Sequence, residues 1–353
     1  DILKGTKNKY KLENGEYVLV EEGKRGKDIV LTIDIELQKE IEKIMDEEII
    51  KAKKDGPNTE YYEGSFVVIS DPKSGGILAT SGRKATKVDE NYKTYDYTPG
   101  ISTSPVVMGS AVKGASHIVG YNTGALKIGE IRKDDCLILP STLPKCSWKY
   151  LGTLNDITAL KQSSNTYQYH TAIRVGKGSY SYNKALKLDL SAYKIYRNTF
   201  AEFGLGIKTG IDLPIESEGF KGKSDTPSLL LDFAIGQYDS YTPIQMTQYI
   251  NTIANNGYRL QLHFLKAVYE PTDIPLTNLS YEFETNILNK VNTLDIYIQR
   301  VKQGFKSVME TNGTGVGYIN SKYKPAGKTG TSQSIIDTNN DGYVDTCLLY
   351  TSD

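Results

Sequence analysis

Ser110 and Lys113 stand three residues apart, a spacing that puts both on one face of a helix and within contact range. A serine hydroxyl is a poor nucleophile until a base takes its proton. A lysine serves as that base only where burial or a neighbouring cation keeps its amine neutral. The pair predicts a hydrogen bond between the Ser110 hydroxyl and the Lys113 amine, at ~2.6–3.2 Å. Ser-x-x-Lys is common, so by itself it signifies no more than a solvated lysine near a helix start. About fifty residues on, Ser163-Ser164-Asn165 separates two apolar helical stretches. At such a junction a hydroxyl can relay a proton while an amide two residues away holds a peptide carbonyl. Read alone, the same residues are an ordinary polar cap.

Lys328-Thr329-Gly330-Thr331 is the third candidate. Gly327-Lys328-Thr329 invites a phosphate-loop reading, but that loop needs a glycine five residues before Gly327, where Lys322 stands, and must run straight into a helix. The residues after Thr331 lead instead to turn chemistry at Asn340-Asp341-Gly342, so nucleotide binding is rejected. A strand from Lys324 to Ile336 fits better. Glycines in it let another backbone approach closely, Lys328 supplies positive charge, and the threonine hydroxyls grip a carboxylate. Other polar clusters read blandly. Asp337, Asn339, Asp341, Gly342 and Asp345 mimic the start of a calcium loop, but its twelfth position falls on Leu348, so a plain hairpin turn is expected. With a lysine available as base, His117, His170 and His263 are read as structural or exposed. Cys136 and Cys146 flank a short loop without metal-ligand spacing, and spacing alone leaves their pairing open. No metal or cofactor is predicted.

The elements that must position these groups follow from periodicity. Ile29 to Ile33 reads as a strand, and Asp34 caps a helix on which Leu37, Ile41, Ile44, Met45 and Ile49 recur at helical spacing, up to Gly56-Pro57. Phe66 to Ile69 and Ile77 to Thr80 form a hairpin around Asp71-Pro72-Lys73-Ser74-Gly75-Gly76. Residues 82–100 read as a polar loop. Helices broken by loops fill 108–203. Thr242-Pro243 starts another helix and Asn256-Gly257 stops it, and a further one spans Leu294 to Glu310. A second hairpin closes the chain, its last strand beginning at Tyr343. The expected fold is α+β: one antiparallel sheet assembled from both chain ends, with a helical lobe inserted.

Composition bounds the rest. The chain has 353 residues, of which 39% are hydrophobic, enough for one large domain or two smaller ones. Its 42 basic and 42 acidic residues balance, which gives no reason to expect nucleic acid or an anionic membrane surface as partner. No apolar run reaches bilayer length.

Taken together and in this order, nucleophile-base helix, Ser-x-Asn loop and Lys-Thr-Gly strand form the serine acyl-transfer set of penicillin-binding proteins and class A β-lactamases. The surrounding sequence resembles class B penicillin-binding proteins, most closely Firmicutes forms. The resemblance runs through Leu31-Thr32-Ile33-Asp34, Val68-Ile69-Ser70-Asp71-Pro72-Lys73-Ser74-Gly75 and Phe203-Gly204-Leu205-Gly206. It continues through Thr209-Gly210-Ile211-Asp212-Leu213-Pro214, Gly236-Gln237-Tyr238 and Thr242-Pro243-Ile244-Gln245-Met246. It implies a β-lactamase/transpeptidase-like fold, with residues 1–28 a remnant of an N-terminal pedestal or linker and residues 29–353 the transpeptidase domain. It implies a peptidoglycan D,D-transpeptidase inhibited by β-lactams, in which Ser110 attacks the D-Ala-D-Ala carbonyl of a stem peptide and Lys113 accepts its proton. Ser163 passes a proton to the leaving nitrogen and Asn165 orients the donor peptide. Lys328, Thr329 and Thr331, flanking Gly330, hold the terminal carboxylate, and the backbone N–H groups of Ser110 and Thr331 form the oxyanion hole. The implied partners are stem peptides, β-lactams and a membrane glycosyltransferase, at the extracytoplasmic face of a bacterial membrane, with the anchor outside this sequence.

Two features depart from the family pattern. Met108-Gly109 precedes the nucleophile where Pro-Gly is usual, and Cys347 to Asp353 matches nothing in the family's closing strands and helix, so the domain is read as C-terminally truncated with a non-native end. Two alternatives stay open. A β-lactamase needs a glutamate for deacylation, and the Glu202-Phe203-Gly204-Leu205 context does not resemble that loop. A silent or β-lactam-sensing module is the other.

Overall fold

The computed structural model describes residues 4–56, 59, 61–336 and 346–352, with side chains described as far as Gln333 among the last of these. In chain order the strands and helices begin with β1 (Lys9–Glu13), β2 (Glu16–Glu21), β3 (Asp28–Leu31), α1 (Ile35–Asp55), β4 (Gly64–Ser70), β5 (Ile77–Val88) and β6 (Asn91–Asp96). Then come α2 (Gly100–Thr103), a 3-10 turn at Gly109–Val112, α3 (Lys113–Asn122), β7 (Arg132–Lys133), β8 (Thr153–Leu154), α4 (Asp156–Lys161), α5 (Asn165–Val175), α6 (Ala192–Glu202) and α7 (Pro227–Ala234). The chain ends with α8 (Pro243–Ala254), β9 (Tyr258–Leu260), β10 (Leu265–Tyr269), β11 (Leu279–Glu282), β12 (Ile287–Lys290), α9 (Asp295–Val308), β13 (Gly330–Ile336) and β14 (Thr346–Ser352). Two compact units result. One comprises Asp1–Asp96, Gly210–Pro214 and Gln261–Asn286, the other Tyr97–Thr209, Ile215–Leu260 and Ile287–Asp353.

In the first unit α1 lies against β5 and β6. Asp34 caps it by accepting the N–H groups of Glu36 and Leu37, and Gly56 is its C-cap. Ile41, Met45 and Ile49 are buried, whereas Ile44 falls outside the apolar stripe and is 47% exposed. Residues 82–100 are not the loop that their polarity predicts. β5 runs on to Val88 and turns at Asp89 and Glu90, and β6 pairs with it from Asn91. The polarity has a structural use: Arg83 on β5 meets Glu42 and Asp46 of α1 and Asp96 of β6 at 3.2, 3.1 and 2.9 Å. β4, β5 and β6 form one antiparallel sheet, and β3, β10 and β11 another.

The second unit is the expected helical lobe. α3 runs through its middle against α4, α5, α6 and α9, and every residue from Lys113 to Tyr121 is buried. Thr242 and Gln245 form a capping box at the start of α8, and Asn256 and Gly257 follow its end with left-handed φ of 54° and 88°. Among the described residues the strand partner of β13 is β14, so the strands from the two chain ends pair antiparallel within separate sheets. Lys328 and Thr329 precede β13 and are not part of it, contrary to the predicted start at Lys324. Pro325 lacks an N–H for a ladder, and the Gly327 N–H donates to the Phe305 carbonyl at 3.1 Å, which ties this segment to α9. The turn at 340–342 and the calcium-like segment lie outside the described residues.

Asp156, at the first turn of α4 and 1% exposed, joins three helices. It accepts Arg300 Nε and Nη2 from α9 at 2.9 and 2.7 Å and the Tyr121 hydroxyl from α3 at 2.6 Å. Burial alone would raise its pKa, but Arg300 and Tyr121 hold it below the ordinary carboxylate value. Asp156→Ala leaves a cation and a phenol without their acceptor, and is expected to cost ~3–5 kcal/mol, read from the midpoint of a denaturant titration.

Candidate active site

Ser110 sits in the 3-10 turn that leads into α3, and its neighbour Gly109 explains how β13 reaches it. Gly109 has a left-handed φ of 52°, and a Cβ there would collide with the Thr331 carbonyl. Gly236 (φ 79°) meets Gly109 the same way: a Cβ on it would strike the Gly109 carbonyl, while the Gly109 N–H donates to the Gly236 carbonyl at 3.0 Å. Gln237 closes the contact. Its Nε2 donates to the Thr331 carbonyl at 3.5 Å and its Oε1 accepts the Gln333 N–H at 3.2 Å. Three backbones thus lie in contact beside the serine.

The turn between α4 and α5 supplies the other side. Ser163 has φ 55°, a conformation rare for a residue with a Cβ, of the kind that clusters at functional sites. Lys113, wholly buried, donates to the Ser163 carbonyl at 2.8 Å and to Asn165 Oδ1 at 2.6 Å, with Ser163 Oγ at 3.5 Å. Lys328 Nζ donates to Ser163 Oγ at 2.8 Å and to the Thr329 carbonyl at 2.8 Å. The Ser163 hydroxyl therefore bridges two amines that lie more than two hundred residues apart in sequence. The Asn165 amide is fixed at both ends, since Nδ2 donates to the Cys146 carbonyl at 3.2 Å.

Both amines are far from their ordinary state. Burial first, and then the charge of Lys328, hold Lys113 well below the usual lysine value, while Asp134 acts in the opposite direction. Lys328 is partly exposed as a residue, but its amine is enclosed, and burial pushes it down to about 7. A desolvated amine able to lose its proton, a hydroxyl in contact with both amines and a serine at the head of a buried helix are the parts of a lysine-assisted acyl transfer.

The sequence from residue 65 to residue 350 matches the model of the family described as penicillin binding protein transpeptidase domain. The chain belongs to the penicillin-binding protein transpeptidase family. It is similar to penicillin-binding protein 2A of Bacillus subtilis, 45% identical over 340 residues that cover 94% of this chain and 47% of the relative. It is also similar to peptidoglycan D,D-transpeptidase MrdA of Escherichia coli K12, 27% identical over 87% of this chain and 48% of that one. The structure of penicillin-binding protein 2B from Streptococcus pneumoniae R6 superposes with a TM-score of 0.84 at 30% identity, covering 98% of this chain and 56% of that one. The chain spans about half the length of the curated relatives it matches, and its fold is the β-lactamase/transpeptidase fold of this class B, Firmicutes-like group.

Within this penicillin-binding domain, Lys113, Ser163, Asn165 and Lys328 converge through direct bonds, and Ser110 reaches β13 through Gly109. The expected Ser110–Lys113 hydrogen bond is absent. The enclosed Lys113 amine instead takes the carbonyl and amide acceptors of the α4–α5 turn. Thr329 Oγ1 pairs with Thr314 Oγ1 at 2.8 Å, Gly330 is buried and Thr331 is exposed at the start of β13. Glu202 accepts the Asn292 N–H at 2.5 Å and has no contact with the two amines. His117 lies in the core between the Lys113 and Asp156 carbonyls, and burial lowers it to about 4. Cys136 and Cys146 form a disulfide.

Sequence reasoning missed Gln237 and Asp134. The first lay inside a quoted family-like stretch but carried no chemistry of its own, and the second is one of four successive charged residues, Arg132 to Asp135. The packing around Gly109 generates a test. Gly109→Ala is expected to displace Thr331 and slow penicillin acylation at least about 100-fold, at a stability cost of ~1–3 kcal/mol for the strained backbone, measured by a fluorescent-penicillin time course beside a denaturation curve.

Proposed function

We propose that this chain is the catalytic domain of a peptidoglycan D,D-transpeptidase. The observation that carries the reading is the meeting of two enclosed amines, Lys113 and Lys328, at Ser163. Lys113, neutral, takes the Ser110 proton as Oγ attacks the carbonyl of the penultimate D-Ala. The tetrahedral oxyanion is held by the N–H groups of Ser110 and Thr331. The C–N bond breaks, Ser163 relays a proton to the departing D-Ala nitrogen, and an ester on Ser110 remains. The amine of a neighbouring stem peptide attacks that ester, forms the new amide and returns the proton to Ser110. Asn165 orients the donor peptide, and Lys328 with Thr329 and Thr331 binds the terminal carboxylate, with Gly330 giving the strand its close approach. β-Lactams acylate the same serine.

On this reading residues 29–353 form the transpeptidase domain and residues 1–28 belong to a pedestal or linker. The protein works at the extracytoplasmic face of a membrane, held by an anchor outside this chain, with a membrane glycosyltransferase as partner. The Cys136–Cys146 disulfide supports an oxidising compartment.

Mass spectrometry after penicillin treatment is expected to place one adduct on the peptide containing Ser110, and none in Ser110→Ala; an adduct that survives this substitution contradicts the assignment. The pH dependence has a definite sign. Acylation needs neutral Lys113, so the rate falls as pH drops through the lysine's pKa. The Lys328 charge lowers that pKa, so Lys328→Gln is expected to move the acid limb of the acylation profile to higher pH.

A further inference from the structure

Asp134 is 3% exposed and has no part in the chemistry described so far. One of its oxygens, Oδ1, accepts three hydroxyl groups: Ser147 at 2.8 Å, Ser164 at 2.6 Å and Thr166 at 2.5 Å. Oδ2 accepts the Leu151 N–H at 3.2 Å. A carboxylate can only accept, so each hydroxyl spends its single proton on Asp134 and turns its lone pairs elsewhere. Those lone pairs meet the start of α5. Ser147 Oγ accepts the N–H groups of Asn165 at 2.9 Å and Thr166 at 3.4 Å, and Ser164 Oγ accepts that of Tyr167 at 3.1 Å. Three orphan donors of the helix N-terminus are thereby satisfied at one remove by a buried anion, which also suits the positive end of the helix.

The same residues act on Lys113. Asn165 is the first residue of α5, and its Oδ1 is the nearest acceptor of Lys113. The charged groups facing the Lys113 amine are Lys328 and Asp134. His117, one turn along α3, is kept neutral by burial, and Asp156 behind it is paired with Arg300. The neighbours of Asp134 in sequence, Lys133 and Asp135, pair with each other at the surface at 3.0 Å.

We infer that Asp134 is a positioning residue of the acyl-transfer site: through three hydroxyl groups it fixes the start of α5, and with it Asn165, and it is the built-in anion opposing the Lys113 amine. This rests on the transpeptidase reading. Lys328 and Asp134 act on Lys113 with opposite sign, so the lysine's protonation is a balance that the fold sets from both sides.

The test follows second-order acylation of the full chain by fluorescent penicillin as a function of pH, in the parent, Asp134→Asn and Ser147→Ala. Asp134→Asn keeps the shape and removes the charge. Its acid limb is expected to move to lower pH by about one unit, the scale for losing one partly screened charge, and its maximal rate is expected to fall about 10-fold. Ser147→Ala keeps the charge and removes the acceptor of the Asn165 N–H, so acylation is expected to slow about 10-fold with the limb unmoved. A purely structural role lowers rates without moving the limb in Asp134→Asn, and that result overturns the inference. Should Asp134→Asn not fold, Ser147→Ala acylating at the parent rate overturns it instead. A parent chain that is never acylated removes the transpeptidase reading itself, a different outcome from either.

Discussion

Lys113 is closed off from bulk solvent, and its amine is held by acceptors within the protein. Transfer of an ammonium from water into a protein interior is costly, and the cost falls on the charged form alone. The fold meets that constraint with a carbonyl and an amide oxygen from the α4–α5 turn, at 2.8 and 2.6 Å, and then biases the proton with a second amine close by. A lysine so placed gives up its proton readily and still keeps its position, because the acceptors that hold it serve a neutral amine as donor too.

Much of the helical lobe can be understood from this requirement. α3 carries Lys113 and is buried along its length by four other helices, which shuts out bulk solvent. The α4–α5 turn must bring two oxygens to one point, and Ser163 takes a left-handed backbone conformation there that an ordinary loop would avoid. Lys328 has to come close enough for its charge to disfavour a second charge on Lys113. It arrives on a segment tied to α9 just before β13, and the glycine contacts among Gly109, Gly236 and Thr331 bring β13 against the serine turn.

Those parts of the fold that arise from short-range chemistry were legible in the sequence. Asp34 as a cap and Thr242-Pro243 as a helix start act within three residues, and the structure has both. Lys113, Ser163, Asn165 and Lys328 were singled out together from their side-chain chemistry, and the structure joins them by direct hydrogen bonds. What remained hidden depends on long-range contacts. The β5–β6 hairpin was missed because Arg83 and its carboxylate partners make a strand look like a loop. The strand containing Lys328 was predicted too early because the tie from Gly327 to Phe305 has no local signature. Asp134 was invisible because a charge run gives no sign of which member turns inward, and the Cys136–Cys146 pairing stayed open because spacing does not fix geometry.

If the fold holds Lys113 ready to be neutral, the lysine's own titration must show it. Side-chain NMR of the full chain labelled at lysine, with Lys113 assigned by its loss in Lys113→Arg, follows the group without reference to catalysis. The expected midpoint lies well below the ordinary lysine value of about 10.4, lower than that of every exposed lysine in the same spectrum. A Lys113 midpoint at the ordinary value would contradict it.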